Sequence, residues 1–459
     1  MNPSVANASI TVVGAARSGQ AVARLLADAG ADVFLTEHGN APDGTDALRE
    51  RGVAMEFDGH TDRALQADVL VLSPGVPTEA DLVQRALADG VRVVSEIEAA
   101  SWFCEAPIVA ITGTNGKTTT TRLAGHLLRT ALPDERQVFV AGNIGVAFSE
   151  VVHKASPRDV MVLEVSSFQL DHVDTFRPRV SAFLNLTPDH LNRYGGRVEA
   201  YAQAKANVMR QQGDGDTVIF GHDDATVRHL VSETAAPSVQ RLPFSQNEAL
   251  EIGASMDGTT LVIRPGTSEM QIPRSTLALP GPHNLYNAQA AVLAAAVLGA
   301  SRQALCDGLA SIDPVPHRME PVTTVDGVQY VNDSKATNVD AVRYALRSFD
   351  RPIVLIAGGR DKGNDYSVLQ PLVRKHVRAV IALGESAATV ERDLGTHAPT
   401  CVRADSLQDA VRQAHTHAQR GDVVLLSPAC SSFDMFTNYK DRGDRFREHV
   451  HALSAVANR

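Results

Sequence analysis

The sequence lacks several features that mark particular classes of protein. It contains four cysteines among 459 residues, and their spacings form neither a CxxC pair nor another typical metal-ligand pattern. Disulfide-stabilised and zinc-binding folds are therefore not expected, and the reducing cytoplasm is the predicted compartment. No stretch reaches the roughly 20 apolar residues of a membrane span, and the first residues show no signal-peptide pattern, so membrane association is not expected.

Positive charge is also not in excess. The chain has 43 Lys and Arg against 53 Asp and Glu, which gives a formal net charge of −10. Because nucleic-acid backbones require a basic face, a nucleic-acid partner is not expected. The composition is otherwise that of a globular protein, with 44% hydrophobic and 21% charged residues. At about 150 residues per domain, the length predicts three domains.

Short apolar runs alternate with amphipathic segments along the whole chain. This order is typical of parallel sheets whose strands are joined by helices, so an α/β fold is predicted. The first unit consists of an apolar run at 10–13, a turn at 14–19 and a second run at 33–36. Because Ala16 stands at the middle glycine of the dinucleotide fingerprint, a nucleotide-binding turn and a plain strand–helix turn remain equally open.

The strongest motif lies at 112–119, directly after the apolar run 108–111, and reads Thr-Gly-Thr-Asn-Gly-Lys-Thr-Thr. Glycines allow backbone N–H groups to face a phosphate, and the N-terminus of the following helix adds positive potential. Lys117 is expected to meet the outer phosphates, and a threonine hydroxyl can reach Mg²⁺. Ile111 stands where the first glycine of the strict P-loop belongs. The Gly-Lys-Thr ending nevertheless predicts a nucleoside triphosphate site.

Further polar groups follow the next predicted strands. Glu164 ends the apolar run 160–163, where a carboxylate can hold Mg²⁺. Asp189, His190 and Lys205 come next in chain order. Each of them alone would be interpreted as a solvated or structural side chain. Their succession after a phosphate loop favours a site for metal and phosphate.

The last third repeats the pattern, after a candidate linker at 314–316. Apolar runs at 353–356, 379–382 and 423–426 each end in a polar or glycine-rich loop. The loop 332–338 reads Asn-Asp-Ser-Lys-Ala-Thr-Asn and crowds acid, base and hydroxyl groups together. A helix N-cap would explain its Asp or Ser alone, but not its Lys and Thr, so a function for this loop is favoured.

Together these motifs resemble those of the Mur ligases, which are ATP-dependent amide-forming enzymes of peptidoglycan precursor synthesis. The matching residues occur in order over nearly the whole chain: 113–119, 164–170, Asp189, His190, Lys205, His283, Asn284, Asn287, His317 and Arg318. The resemblance implies an α/β fold in three domains. These are a Rossmann-like N-terminal domain (1–97) that binds a UDP-sugar, a P-loop ATPase-type central domain (98–313), and a Rossmann-like C-terminal domain (314–459) that binds an amino acid.

Two segments, 332–338 and 427–434, resemble the branch of the family that adds D-glutamate to UDP-N-acetylmuramoyl-L-alanine. The other branches carry a histidine-containing loop in the position of the first segment. The resemblance implies that the sugar-linked carboxylate attacks ATP to give an acyl phosphate, which the amine of D-glutamate then attacks. The implied partners are these small molecules alone, and the implied state is a cytoplasmic monomer.

The resemblance also implies roles for single residues. The catalytic residues would be Lys117, His190, Lys205 and Arg318. The ligands of two Mg²⁺ ions would be Thr118, Glu164, His190 and Lys205, the last as a carbamate formed with CO₂. The ATP-binding residues would be Gly113, Thr114, Asn115, Gly116, Lys117, Thr118, Thr119, Asn284, Asn287, Arg318, Asp333 and Lys335.

Substrate-binding residues are implied at both ends of the chain. Those for the nucleotide sugar would be Arg17, Ser18, Glu37, Ser73, Gly75 and Asn143, with Ser166 beside them, and those for D-glutamate would be Thr337, Lys362, Ser432, Phe433 and Tyr439. Three positions depart from the family pattern. Arg17 replaces a residue that is often apolar, Glu37-His38 replaces Asp-Thr, and Tyr439 replaces Phe.

Three alternatives compete with this interpretation. Residues 10–37 alone would fit a nucleotide-dependent dehydrogenase, although Ala16 weighs against it. Folylpolyglutamate synthetase has the same fold but should lack 73–75 as part of a UDP-binding domain. A non-catalytic nucleotide-binding regulator would require the loss of key groups, and none is missing from the motifs.

Overall fold

The computed structural model describes residues 5–279, 281–313, 316–361 and 363–457. The chain divides into two compact units. Met1–Pro280 with Asn284–Ile312 form one, and Gly281–His283 with Asp313–Arg459 form the other. The first unit contains two β-sheets and the second contains one. In the parts of the chain described above, none of the helices combines the length and the apolar character needed to cross a lipid bilayer.

The first sheet has five parallel strands in the order β3-β2-β1-β4-β5. Strands β1, β2 and β4 are buried on both faces, which explains why they appear as largely apolar runs. The order reverses between β1 and β4, and open α/β sheets bind ligands at such a point. The elements are β1 (Ser9–Val13), α1 (Arg17–Asp28), β2 (Asp32–Thr36), α2 (Asp46–Arg49), β3 (Ala54–Glu56), β4 (Val69–Leu72), α3 (Asp81–Ala88) and β5 (Arg92–Ser95).

The second sheet has nine strands in the order β14-β13-β12-β11-β10-β9-β6-β8-β7. Strands β6 to β11 are parallel to their neighbours, whereas β12, β13 and β14 form antiparallel pairs. The elements are α4 (Glu96–Ser101), β6 (Ile108–Thr112), α5 (Lys117–Ala131), β7 (Val138–Gly142), α6 (Phe148–Val151), β8 (Val160–Glu164), α7 (Ser167–Leu170), β9 (Val180–Phe183), α8 (Val198–Ala206), β10 (Thr217–Gly221), α9 (Ala225–Thr234), β11 (Gln240–Phe244), β12 (Gly253–Asp257), β13 (Thr260–Arg264), β14 (Met270–Pro273), α10 (Pro282–Val297) and α11 (Arg302–Ser311).

The third sheet has six strands in the order β15-β16-β20-β17-β18-β19, and only the β15–β16 pair is antiparallel. The elements are β15 (Glu320–Val325), β16 (Val328–Asn332), α12 (Val339–Leu346), β17 (Ile353–Gly358), α13 (Gln370–His376), β18 (Val377–Leu383), α14 (Ala387–Asp393), β19 (Thr400–Ala404), α15 (Leu407–His417), β20 (Val423–Leu426) and α16 (Tyr439–Ala457). Short 3₁₀ turns occur at Asp62–Leu65, Val152–Lys154, Leu191–Tyr194, Asn207–Met209, Arg274–Thr276, Ser367–Leu369 and Gly395–His397.

The predicted fold class is confirmed, since each of the three sheets contains parallel strands joined by helices. The apolar run at 423–426 coincides with β20 residue for residue, and the run at 160–163 forms β8 together with Glu164. The antiparallel strands at the edges of the second and third sheets had not been predicted. The domain limits near residues 97 and 314 stay predictions, and two residues of the candidate linker, 314 and 315, lie outside the described residues.

Candidate active site

The phosphate loop connects β6 to α5 and depends on two glycines with positive φ. Gly116 is the N-cap of α5 at φ +85°, and a Cβ placed there would lie 2.2 Å from Asn287 Oδ1. Gly113 has φ +145°, and a Cβ there would lie 3.0 Å from Leu184 Cβ. A side chain at either position would be strained, and at Gly116 it would also clash. The backbone is therefore free to approach a ligand at the N-terminus of a 15-residue helix.

Side chains hold this loop against the end of the neighbouring strand β9. Thr114 Oγ1 donates to the Thr187 carbonyl at 3.0 Å, and Asn185 Oδ1 accepts from the Asn115 amide at 2.8 Å. Lys117 Nζ lies over the loop and donates to the carbonyls of Gly113 and Thr114, each at 2.9 Å. The cation predicted to bind outer phosphates thus stands at the loop itself.

Glu164 lies beside the loop because β8 pairs with β6, with Ile111 opposite Glu164. Its Oε1 accepts from Asn143 Nδ2 at 3.2 Å. Its Oε2 is buried and has no hydrogen-bond partner among the described residues. A buried carboxylate oxygen left without a donor is a costly arrangement in the absence of a ligand. The donor set therefore fits a Mg²⁺ ion, for which carboxylate oxygen is a preferred ligand.

Lys205 projects from α8 to the same loop and is only 1% exposed. Its Nζ donates to the Gly113 carbonyl at 2.8 Å and lies 4.6 Å from the centre of the Tyr201 ring. Burial, reinforced by the nearby charge of Lys117, holds the pKa of Lys205 well below its ordinary value. A neutral primary amine is the nucleophilic form of lysine, so the lowered pKa of Lys205 favours reaction with CO₂.

His190 lies in a loop with backbone strain, at φ +52°, and its side chain is 41% exposed. Its ring centre lies 5.1 Å from that of Phe168 in an edge-to-face contact. The guanidinium of Arg193 lies over the Phe168 ring, with its central carbon 4.1 Å from the ring centre. Arg193 also donates to the carbonyls of Pro74 and Val76 at 3.1 and 2.7 Å. Sequence reasoning missed Arg193, because a single arginine in a polar loop has no periodic signal.

A cavity of about 680 Å³ lies where the strand order of the first sheet reverses, and it extends to the second sheet. The residues predicted to bind the nucleotide sugar line it together: Arg17, Ser18, Glu37, Ser73, Gly75 and Asn143. Ser166 lies next to the lining, since it caps α7 in a reciprocal pair with Gln169, which faces the cavity. His60 and Glu96 also line the cavity. The sequence offered no motif for either.

Several of the lining residues are already engaged by protein groups, among them Glu37 and Arg17. Glu37 accepts from the amides of Ala15 and Gly39 at 2.7 and 3.1 Å. Burial alone would raise the pKa of Glu37, but these amide donors lower it below its ordinary value. Arg17 forms an ion pair with Glu150 at 2.7 Å, and this hydrogen bond raises the pKa of Arg17. Arg17 thus bridges two walls of the cavity.

In the second unit, the predicted loops follow three neighbouring strands, β16, β20 and β17. Asp333 is buried and accepts from the Met319 amide at 3.2 Å and Ser427 Oγ at 2.9 Å. Burial, opposed by the charge of Arg318, raises the pKa of Asp333 to about 6. The N-cap of α12 is Asn338, so a cap does not explain the other polar residues of this loop.

The remaining residues predicted for amino-acid and ATP binding surround these loops. Ser432 is buried, whereas Phe433 is exposed, and Lys335 Nζ lies 5.6 Å from the Tyr439 ring centre. The Thr337 amide donates to the Lys335 carbonyl at 2.9 Å within the loop. Lys362 lies outside the described residues.

Arg318 and His283, both half-buried in the second unit, interact electrostatically, and each has a buried side-chain nitrogen. Arg318 Nε and His283 Nε2 have no hydrogen-bond partner among the described residues. Burial, together with the charge of Arg318, lowers the pKa of His283 to about 4. Asn284 and Asn287 follow on α10 and are buried in the first unit. The unpartnered Nε of Arg318 and Nε2 of His283 could each form a hydrogen bond to a polar ligand.

Three family models match successive segments of the chain. They are described as the MurD-like N-terminal domain of Mur ligases (residues 8–95), the Mur ligase middle domain (111–295) and the glutamate ligase domain of Mur ligases (317–430). The UDP-N-acetylmuramoylalanine–D-glutamate ligase of Salinibacter ruber is 59% identical over 448 residues, which cover 96% of this chain and 97% of the relative. The ligase of the same name from Chlorobium limicola is 43% identical, with 97% and 98% covered.

Solved structures show the same fold at lower identity. The MurF ligase of Thermotoga maritima in complex with ADP has a TM-score of 0.60 and 16% identity, with 99% of this chain and 97% of that chain covered. The UDP-N-acetylmuramate-alanine ligase MurC of the same organism has a TM-score of 0.57 and 18% identity, with 97% and 100% covered. These two matches concern the fold alone.

Proposed function

The chain belongs to the Mur ligase family, and on that premise we propose that it joins D-glutamate to UDP-N-acetylmuramoyl-L-alanine through an acyl phosphate, in the cytoplasm and as a monomer. As a family member it is an ATP-dependent ligase of peptidoglycan synthesis. The observation that carries the chemistry is the grouping of Lys117, Glu164 and Lys205 around the phosphate loop. The dehydrogenase and folylpolyglutamate synthetase alternatives are set aside, because ligases of one name match nearly the full chain.

The phosphate loop is proposed to bind ATP through its backbone amides and Lys117. The other residues of 113–119 are proposed to bind ATP because they match the family motif. Mg²⁺ supplies charge neutralisation between the phosphates. Glu164 and Thr118 would hold one ion, and His190 the second. The unpartnered Oε2 of Glu164 supports the first assignment.

Lys205 is proposed to carry a carbamate. Its neutral amine would attack CO₂ with release of one proton, which converts a buried donor into an anion. An anion at this position would support a metal ion, whereas an ammonium group would repel it. The lowered pKa of Lys205 supports this proposal, because it favours the neutral, nucleophilic form of the amine.

The large cavity of the first unit is proposed to bind the nucleotide sugar, since it is lined by every residue predicted for that ligand except the adjacent Ser166. Asn143 connects this cavity to Glu164 through their hydrogen bond. The carboxylate of the bound substrate would then attack the γ-phosphorus of ATP, and ADP would leave. Cations are expected to carry most of the catalysis, because both this step and the amide-forming step accumulate negative charge.

In the second unit, Thr337, Lys362 and Ser432 are proposed to bind the two carboxylates of D-glutamate, with Phe433 and Tyr439 beside them. Asp333 is proposed to bind ribose, and Arg318 and Lys335 phosphate. Supporting observations are the positions of these loops after adjacent strands and the unpartnered Nε of Arg318.

The deciding experiment measures phosphate release with UDP-N-acetylmuramoyl-L-alanine, ATP and a panel of amino acids. We expect turnover with D-glutamate and little with L-glutamate, D-aspartate or D-alanine. Lys117→Ala should abolish ADP formation while the protein remains folded by circular dichroism. A strong preference for another amino acid would overturn the choice of amino donor, and normal turnover of Lys117→Ala would overturn the phosphate site.

A further inference from the structure

Arg442 is the largest fully buried side chain of the second unit, and the mechanism above does not use it. It lies on α16 four and eight residues before Phe446 and Val450, which are both fully buried. Residues at this spacing share one face of a helix. A guanidinium therefore occupies the core-facing stripe of α16, where an apolar side chain would be expected.

The guanidinium connects two of the predicted ligand loops. Its Nε donates to Ser334 Oγ at 3.0 Å, and its Nη2 donates to the carbonyls of Ser334 at 2.8 Å and Cys430 at 3.1 Å. Nη1 reaches the Ser431 carbonyl at the longer distance of 3.5 Å. Ser334 lies between Asp333 and Lys335, and Ser431 precedes Ser432. The guanidinium of Arg442 thus fixes both loops next to the residues that are proposed to bind ligands.

A third loop is joined to this arrangement through Ser431. The amide of Arg360 donates to the Ser431 carbonyl at 2.9 Å, and the Ser431 amide donates back to the Arg360 carbonyl at 3.2 Å. Gly359 makes the approach possible. It has φ +141°, and a Cβ there would lie 2.4 Å from the Ser431 carbonyl oxygen and 3.2 Å from Arg442 Nη1.

The charge of Arg442 is not compensated by an ion pair. No carboxylate in the described part of the chain lies within ion-pair distance of its guanidinium. Burial lowers the pKa of Arg442 to about 10, which still leaves the group charged at neutral pH. Carbonyl oxygens satisfy its donors. The charges of Cys430, Asp434 and Asp333 oppose the effect of burial on the pKa of Arg442 without forming an ion pair with it.

We propose that Arg442 is a positioning residue for the amino donor: its hydrogen bonds hold the loops 333–337 and 430–432 in the arrangement that binds the amino acid. The inference rests on the proposed function of this site. Because the role is exerted through the loops, its loss should raise the KM for D-glutamate and leave the KM for the nucleotide sugar unchanged.

The test compares Arg442→Lys, Arg442→Ala and Ser334→Ala with a matched control, Arg445→Met. Arg445 lies less than one turn away on α16, is exposed and pairs only with Asp441 among the ion pairs of the described residues. We expect Arg442→Lys to raise the KM for D-glutamate about tenfold or more, since charge-assisted hydrogen bonds are lost. Ser334→Ala should raise the KM for D-glutamate by a smaller factor. The control Arg445→Met should leave the KM values for D-glutamate and for the nucleotide sugar unchanged.

Chemical rescue separates positioning from folding. Guanidinium chloride at millimolar concentration should lower the KM of Arg442→Ala for D-glutamate part of the way back to the parent value. Unchanged KM values in Arg442→Lys, or a parallel loss for all substrates with no rescue, would overturn the inference. If Arg442→Ala fails to fold, Ser334→Ala decides alone. Failure of the proposed function is distinguishable, because the unmodified enzyme would then show no turnover with D-glutamate.

Discussion

Two buried glutamates in the first unit should respond in opposite ways to the same substitution. Glu164→Gln replaces an Oε2 that has no hydrogen-bond partner among the described residues, while Oε1 can still accept from Asn143. Glu98→Gln alters a carboxylate that accepts from Trp102 Nε1 and from the amides of Asp174, Thr175 and Phe176. We propose that the first carboxylate serves a ligand, whereas the second stabilises the fold.

The magnitudes follow from these contacts. Because Oε2 has no hydrogen-bond partner among the described residues, Glu164→Gln should be as stable as the parent or up to about 1 kcal/mol more stable without ligands. In Glu98→Gln either orientation of the amide sets an NH₂ group against amide donors, which should cost about 3–5 kcal/mol. Activity should fall about 1000-fold in Glu164→Gln, because the Mg²⁺ ligand is lost.

The assays are thermal unfolding in EDTA and the Mg²⁺ dependence of phosphate release. Glu98→Gln serves as the matched control, since it changes the same residue type at similar burial and should retain turnover at temperatures where it is folded. If Glu164→Gln lost as much stability as Glu98→Gln, or kept normal turnover at low Mg²⁺, the reasoning about the unpartnered oxygen would be refuted.

Three further predictions concern Lys205 and Gly116 of the first unit and His283 of the second. Lys205→Ala should lose activity and regain part of it with formate or acetate in the assay; insensitivity to carboxylates and to CO₂ would contradict the carbamate. Gly116→Ala should weaken ATP binding by about 1–2 kcal/mol or more, measured by calorimetry, because it adds left-handed strain and a clash with Asn287. The pKa of His283 falls from 6.5 to about 4 on folding, so the unfolded chain binds more protons between these values. Stability should therefore fall as pH drops from about 6.5 to 4, and a denaturation series with His283→Gln should lack this component.

Much of the fold could be predicted because parallel strands buried on both faces have a distinctive sequence. Polar residues directly after such strands meet at one sheet edge, which is why Glu164 could be placed beside the phosphate loop from sequence order alone. The antiparallel strands β12–β14 alternate less clearly and were missed. Arg193 and Arg442 were missed for another reason: an arginine that donates to backbone carbonyls leaves no pattern in the sequence.

Helix-to-strand turns at the opposite edges of the sheets offer convenient attachment points for spectroscopic labels. Asp134 is exposed between α5 and β7, and Asp350 is exposed between α12 and β17, each in a different unit. None of the four native cysteines is fully exposed, and Cys430 is buried. Thiol-reactive dyes at Asp134→Cys and Asp350→Cys could therefore report on each unit during turnover, with little background labelling and without altering a residue proposed for chemistry.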